Sequence, residues 1–315
     1  MNRYVKTAAL LLLLLTSRAS FAQTDLDAIL MEKKQLCIGP MYTHISWKNY
    51  WEGTLKRDNE NLGTVTTQSY SLMGAYGITN KLNVLAAAPY IKTKASAGTL
   101  LGMQGVQDLS LFVKWLAVEK KCGPGIFALY TIGGVSFPLT NYVADFLPLS
   151  IGLRSKTASA RLMVDYDINS WFVTASVTYV LRDNIKIDRT AYYTTEAHLS
   201  NEVEMPDASN ANLRIGYRTS KIVAEAVLNK WRSLGGFDIT RNNMPFPSNK
   251  MNATTIGANF KYTVTPKHNF FLMGGGNTTV SGRNMGQAAA FYGGIFYVLD
   301  FSPKKSSSSI QPVKK

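Results

Sequence analysis

The sequence predicts an all-β chain, a transmembrane antiparallel β-barrel of about twelve strands with short periplasmic turns and long extracellular loops. Between Leu36 and Phe301, segments of roughly ten residues alternate apolar and polar, which is the strand signature of such a barrel. The connections between them are by turns short and long. An export signal precedes them, and no later stretch offers the ~18 consecutive apolar residues that a spanning helix needs.

The first element is that signal. Asn2, Arg3 and Lys6 open the chain, an apolar run from Ala8 to Leu15 follows, and Ser20, Phe21 and Ala22 give a small-x-small pattern before Gln23. Residues 1–22 therefore read as a cleaved secretory signal peptide, and 23–35 as a periplasmic N-terminal segment. No cysteine stands at a lipobox position. The barrel is assigned to 36–301 and a basic, disordered tail to 302–315.

The first strand rises from Leu36 to Tyr50, and an outer loop runs from Trp51 to Gly63. Strand two, Thr64 to Ile78, is turned by Thr79, Asn80 and Lys81 into strand three, Leu82 to Ile91. After a loop over 92–105, strand four spans Val106 to Val118, and the turn 119–124 leads into strand five, Gly125 to Phe137. The third loop, 138–158, precedes strand six, Ser159 to Asp167. Ile168, Asn169 and Ser170 turn it into strand seven, Trp171 to Arg182. The longest loop, 183–209, follows. Strand eight, Asn210 to Arg218, sets Ala211, Leu213, Ile215 and Tyr217 against Asn210, Asn212, Arg214 and Arg218. Thr219, Ser220 and Lys221 lead to strand nine, Ile222 to Trp231. Strand ten has the clearest pattern. Ile256, Ala258, Phe260, Tyr262 and Val264 point one way, and Thr255, Gly257, Asn259, Lys261 and Thr263 the other. Strand eleven is Phe270 to Thr279. Strand twelve, Ala288 to Phe301, puts Phe291, Ile295, Tyr297, Leu299 and Phe301 on one face and resembles a C-terminal assembly signal of outer-membrane barrels. An even count closes the sheet and leaves no unpaired edge in lipid. A hairpin within Ala191 to Ser200 would raise the count to fourteen.

Composition agrees. The charged fraction of 17% lies below the ~25% of soluble domains. No linker or solenoid period divides the chain, so one domain is expected. The formal charge is +14, but Arg3, Lys6 and Arg18 leave with the signal, so 31 basic residues face 20 acidic ones, a balance of +11. Of that excess, +7 falls on the predicted periplasmic side, where Lys33, Lys34, Lys81, Lys120, Lys121, Lys221, Lys267, Lys304, Lys305, Lys314 and Lys315 stand against Asp25, Asp27, Glu32 and Glu119 and face anionic headgroups. The charge thus implies outer-membrane lipids as partners, and no nucleic acid.

Tyr76-Gly77-Ile78-Thr79-Asn80-Lys81-Leu82, Pro89-Tyr90, Gly105-Val106-Gln107-Asp108-Leu109 and Pro148-Leu149-Ser150-Ile151-Gly152-Leu153 resemble the outer-membrane transporters associated with meta-pathway phenol degradation. Where that family shows a second glycine before the Asp, this chain carries Gln107. The resemblance implies an outer-membrane barrel of a Gram-negative bacterium that admits small solutes, including hydrophobic or aromatic ones.

On the inward face the sequence places Asp108, Lys114, Arg161, Asp165, Asp167, Arg182, Arg214, Arg218, Glu225, Lys261 and Asp300 as pore-lining residues. Their mixed signs suggest cross-lumen pairs, which either shape a transverse field or fill a narrow bore. Tyr142, Phe146 and Leu147 in loop three, and Tyr192 and Tyr193 in loop four, are the candidate gate or capture residues. Alternatively, Leu147 to Leu153 extends a strand, and loop four plugs the bore. The aromatics Tyr70, Tyr76, Trp115, Tyr166, Trp171, Tyr179, Tyr262 and Tyr297 supply interfacial girdles.

No Gly-x-Ser-x-Gly elbow or His-Glu-x-x-His motif occurs, and His44, His198 and His268 are scattered, so neither catalysis, metal nor cofactor is expected. Cys37 and Cys122 both lie near the periplasmic rim, where a disulfide is chemically allowed. The expected protein is a monomeric outer-membrane channel, inserted by the outer-membrane assembly machinery, for passive uptake of small solutes. The alternative is a structural or surface-binding barrel with a closed lumen.

Overall fold

The computed structural model describes residues 24–241, 243–265 and 269–302. The signal, the tail beyond 302 and His268 lie outside the described residues.

Twelve long strands make the wall: β1 (Gln35–Trp47), β2 (Val65–Gly77), β3 (Leu82–Ala95), β4 (Asp108–Cys122), β5 (Gly125–Pro138), β6 (Thr157–Ile168), β7 (Trp171–Arg182), β8 (Ala208–Arg218), β9 (Ile222–Ser233), β10 (Asn252–Thr263), β11 (Phe270–Arg283) and β12 (Ala289–Asp300). Each pairs antiparallel with the next, and β12 returns to β1 in register from Gln35↔Asp300 to Ser46↔Ala289. The ring is therefore closed, which leaves no strand edge exposed to lipid. The segment within 191–200 does form a hairpin, Tyr192–Tyr193 against Ala197–His198, but it pairs with no wall strand and the barrel keeps twelve.

Period-two patterning sets the two faces. On β8, Leu213, Ile215 and Tyr217 are exposed while Asn212 and Arg214 are buried; on β10, Ile256, Phe260 and Tyr262 are exposed while Lys261 and Thr263 are buried. Apolar groups thus face outward, as lipid requires, and polar groups face the bore. Among the predicted girdle residues, Tyr70, Tyr76, Trp115, Trp171, Tyr179, Tyr262 and Tyr297 are exposed on the outer surface. Tyr166 is half-buried, its hydroxyl donating to the Cys122 carbonyl at 2.8 Å. Cys37 is buried and Cys122 exposed, and no disulfide joins them.

The turns on the side of Gln35 and Asp300 are tight. At the β6–β7 turn Asn169 adopts a left-handed φ of 57°, a conformation asparagine tolerates better than most residues. The opposite end carries ordered loops. The first strand ends at Trp47, short of the expected Tyr50, because Asn49–Glu52 pairs with Leu55–Asp58 as a separate outer hairpin. β11 continues to Arg283, past the expected Thr279.

Loop three forms no strand extension. It packs down onto the wall, with Leu149 fully buried against Leu62 and Val65, Phe146 beside them, and Ile151 against Ile91 and Tyr142. The Thr93 hydroxyl donates to the Leu149 carbonyl at 2.6 Å. In loop four, Ile185, Ile187, Val203 and Met205 form their own apolar cluster with Ala144. Asn284 ties the remaining loops together. Its Oδ1 accepts from the backbone N–H of Gly53 at 2.7 Å and of Ile239 at 3.1 Å, and its Nδ2 donates to Asp238 at 2.7 Å and to the Lys250 carbonyl at 2.9 Å. Arg283 holds Asp238 bidentately, and this hydrogen bonding keeps the Asp238 carboxyl below the usual carboxylate range.

Because Leu213 lies on the outer face near the middle of β8, Leu213→Arg is expected to cost about 2–4 kcal/mol of folding free energy in lipid. Leu55→Arg, on the outer hairpin, should stay within about ±0.5 kcal/mol. Equilibrium unfolding in urea from lipid vesicles measures both.

Candidate functional site

The bore is occupied by the protein's own N-terminal segment. The sequence predicts a periplasmic segment over 23–35 with Asp25 and Asp27 on the rim. The structure instead places residues 24–31 inside the barrel, with Asp27 completely buried.

The chain enters beside β2 and β3. Lys34 donates its N–H to the Gly77 carbonyl at 2.7 Å, and Lys33 donates to the Asn80 side chain at 2.9 Å. Gly77 is required by close approach, because a Cβ there would overlap the Glu32 carbonyl. Two kinds of contact then hold the segment. Met31 and Ile29 are buried among the inward side chains Cys37, Ala75, Leu85, Phe271 and Phe296, and Ala28 packs on Leu116, Ala128 and Met163. Full burial of a side chain of that size stabilises by about 1.5–3 kcal/mol.

The second contact is ionic. Asp27 receives the Lys261 ammonium at 2.6 Å on Oδ2 and the Lys114 ammonium at 3.3 Å on Oδ1. It also accepts from the Thr24 backbone N–H at 2.8 Å, the Thr24 hydroxyl at 3.0 Å and the Ile29 N–H at 3.2 Å. Lys114, with no exposed surface, further donates to the carbonyls of Thr24 at 2.5 Å and Asp27 at 2.7 Å. Tyr130 donates to the Ala28 carbonyl at 3.0 Å. Nearer the tip, Arg161 grips Asp25 through its carboxylate at 2.9 Å and its carbonyl at 2.6 Å, while its Nε donates to the Thr178 hydroxyl at 2.7 Å.

Three cations expected to pair across the lumen, Lys114, Lys261 and Arg161, are thus paired instead with the plug's two carboxylates. Only two of the predicted arginines pair with wall acids. Arg214 meets Glu225 at 2.6 Å, and Arg218 meets Asp165 at 3.1 Å and Asp167 at 3.3 Å while its guanidinium lies over the Phe172 ring. Arg182 lies at the outer end of β7 over the Trp231 ring. Asp300 sits at the rim, accepting from the Ser302 N–H at 2.8 Å. Asp108 lies at the mouth, where it accepts the Tyr142 hydroxyl at 2.6 Å. Burial and that carboxylate both push the Tyr142 phenol up, so it remains a donor.

The plug divides the bore. On the loop side lies a chamber of about 510 Å³, floored by Asp25 and Leu26 and walled by Ser, Thr and Asn side chains among Arg161, Arg182 and Arg214. On the turn side lies a vestibule of about 740 Å³ between residues 28–32 and Tyr130, Asp167 and Arg218. Of the predicted gate residues, Tyr142 is buried under loop three, and Phe146 and Leu147 are partly buried there. Tyr192 stacks on His198 and on Phe246, whereas Tyr193 is exposed. His198 bonds Thr194 at 2.8 Å, and His44 lies beside Tyr42 on the outer face. Among the described residues no group of His, Cys, Asp and Glu is arranged to hold a metal ion.

Residues 59–293 match the family described as "Putative MetA-pathway of phenol degradation". The chain belongs to this family. Among solved structures it is similar to the COG4313 outer membrane channel from Pseudomonas putida F1, at 14% identity and a TM-score of 0.70, covering 88% of this chain and 99% of that one. At that identity the likeness shows the fold, an outer-membrane barrel. The transport unit of the autotransporter AIDA-I from Escherichia coli aligns more loosely, at 12% identity and a TM-score of 0.47 over 87% of this chain and 93% of that one. No curated protein matches the chain.

The plug residues carry none of the patterning from which the family resemblance was read. Their one sequence signal is an acidic pair, Asp25 and Asp27, beside the apolar run Ala28 to Met31.

Asp27→Asn leaves Lys114 and Lys261 facing each other in a buried site, a change that costs about 3–5 kcal/mol when the group cannot move. The plug can relieve that cost by leaving the bore. Thiol labelling at Ile29→Cys, in a Cys122→Ser background, is expected to rise at least ~10-fold on adding Asp27→Asn, since undocking exposes the site.

Proposed function

We propose that the protein is an outer-membrane channel through which small solutes, aromatic ones among them, cross passively. The observation that carries this reading is the arrangement of chamber and vestibule on opposite sides of a short plug that is held by side-chain contacts and is no part of the wall. Wall side chains fill small barrels and wide ones leave a water channel. Here a displaceable segment fills the middle of an intermediate barrel, so permeability follows the plug's position. The reading places the mature, signal-cleaved chain in the outer membrane of a Gram-negative bacterium, inserted as a monomer by the assembly machinery and surrounded by lipid.

The eleven inward-facing charged residues named from sequence are, on this reading, the polar lining of the path, with Tyr142, Phe146, Leu147, Tyr192 and Tyr193 around its outer mouth. A closed barrel acting through its loops is the competing reading, favoured by the well-packed clusters of loops three and four.

Planar-bilayer recording of the refolded mature chain, with liposome influx of small solutes, decides between them. Reproducible small openings are expected, and deletion of residues 24–31 should raise conductance several-fold by removing the constriction. A correctly folded barrel that stays silent with and without that deletion would establish the closed reading.

A further inference from the structure

The loop-side chamber is asymmetric in charge. Its charged lining is three arginines, Arg161, Arg182 and Arg214, against one carboxylate, Asp25. Arg214 is neutralised by Glu225, whose Oε1 also accepts from Asn259 at 2.6 Å. Arg161 is neutralised by Asp25 of the plug. Arg182 forms no ion pair among the described residues. Its side chain reaches only the Pro206 carbonyl, at 3.4 Å, and lies 5.2 Å from the Trp231 ring centroid. The neighbouring Asp207 carboxylate attracts the Arg182 guanidinium through space without an ion-pair contact, its oxygens accepting from the Tyr179 hydroxyl at 2.7 Å and the Arg182 backbone N–H at 3.0 Å. Below the plug the sign reverses, with Arg218 facing both Asp165 and Asp167.

We propose that this chamber is a binding site for small organic carboxylates, which Arg182 receives and for which Asp25 is the built-in competitor at Arg161. This rests on the reading of the bore as a solute path and gives that path a substrate class. A guanidinium presents a planar fork of N–H donors that matches a carboxylate, and in a partly desolvated chamber such charge-assisted bonds are stronger than neutral ones. The volume lies within the range of small-ligand sites. The Trp231 and Tyr292 rings on the same wall offer apolar faces to the ligand's body, and the Asn210, Asn212 and Asn229 amides, already linked to one another, offer further donors. Asp25 shows the site's preference directly, because the group that Arg161 holds is itself a carboxylate.

Equilibrium dialysis of labelled benzoate against the refolded mature chain in neutral detergent, with empty micelles as blank, tests the site without requiring conduction. Expected is saturable binding of one benzoate per chain, displaced by acetate and unaffected by benzyl alcohol, which keeps the ring and lacks the charge. Arg182→Gln should weaken it at least ~10-fold, and Asp25→Asn should tighten it at least ~3-fold by removing the internal competitor. Heat-modifiable gel mobility verifies that each variant is folded, and Arg182→Lys, which keeps the charge and loses the fork, should recover part of the affinity. Benzoate uptake no greater than that of the blank, equal displacement by benzyl alcohol, or indifference to Arg182→Gln in a folded barrel overturns the proposal. A silent bilayer alongside saturable benzoate binding would count against the channel and leave the site standing. A conducting barrel without benzoate binding would overturn the site alone.

Discussion

One carboxylate organises the interior of this barrel. Asp27 lies buried between Lys114 and Lys261, which project from β4 and β10 on different sides of the wall. Without it, two ammonium groups would stand desolvated in the bore, a cost of several kcal/mol per ion. With it, each charge has a partner, and the backbone carbonyls of Thr24, Asp27 and Ile29 take up donors that Lys114 would otherwise leave unbonded. The wall and the plug therefore specify each other. While the plug is docked, the wall's lysines are desolvated and the plug's carboxylate is what they face, and that carboxylate is in turn buried against those lysines.

This mutual dependence explains why the outer half of the problem was legible in the sequence and the inner half was not. Lipid imposes one rule on every outward position, so the apolar sets Leu213, Ile215, Tyr217 and Ile256, Phe260, Tyr262 announce their face through simple alternation. The same alternation places Lys114, Arg214 and Lys261 inward. It says nothing about what they meet there. Their partners come from a segment more than eighty residues away for Lys114 and more than two hundred for Lys261, without periodicity of its own. Asp25 and Asp27 read as rim residues because a short polar stretch between a signal peptide and a first strand has no local reason to enter a barrel. The inward apolar residues Cys37, Ala75, Leu85 and Phe296 were the missing clue, since an aqueous bore has no use for them and a buried Ile29 and Met31 do.

The loops follow a different logic. Their apolar content, visible in Phe146, Leu149 and Ile151, raised the choice between a capture surface and a longer strand. The structure takes neither course for Leu149, which is buried against Val65 at the inner top of β2. Packing of this kind fixes the mouth from above, while Asn284, Asp238 and Arg283 fix it from the side. Both ends of the path are thus bounded by ordered structure, and the wall itself is rigid through a continuous ladder.

In the proposed channel, motion that admits a solute would come from the element held by the fewest constraints. The wall strands each share a hydrogen-bonded ladder with two neighbours, and opening one within the membrane exposes backbone groups where no water can replace them. The plug has no ladder. It is retained by the buried side chains of Ala28, Ile29 and Met31, by a clamped carboxylate at its centre and another at its tip, and by side-chain donors to its carbonyls, and its release exchanges those contacts for water at either end of the bore. The tip contact, Asp25 with Arg161, is also the most solvent-exposed of the plug's ion pairs, with a quarter of the carboxylate accessible. It is the plug's ion pair that faces the loop-side chamber. In the proposed channel, exchange at the tip leaves the Asp27 clamp undisturbed, so that recognition in the chamber and release of the plug would be successive steps along one axis.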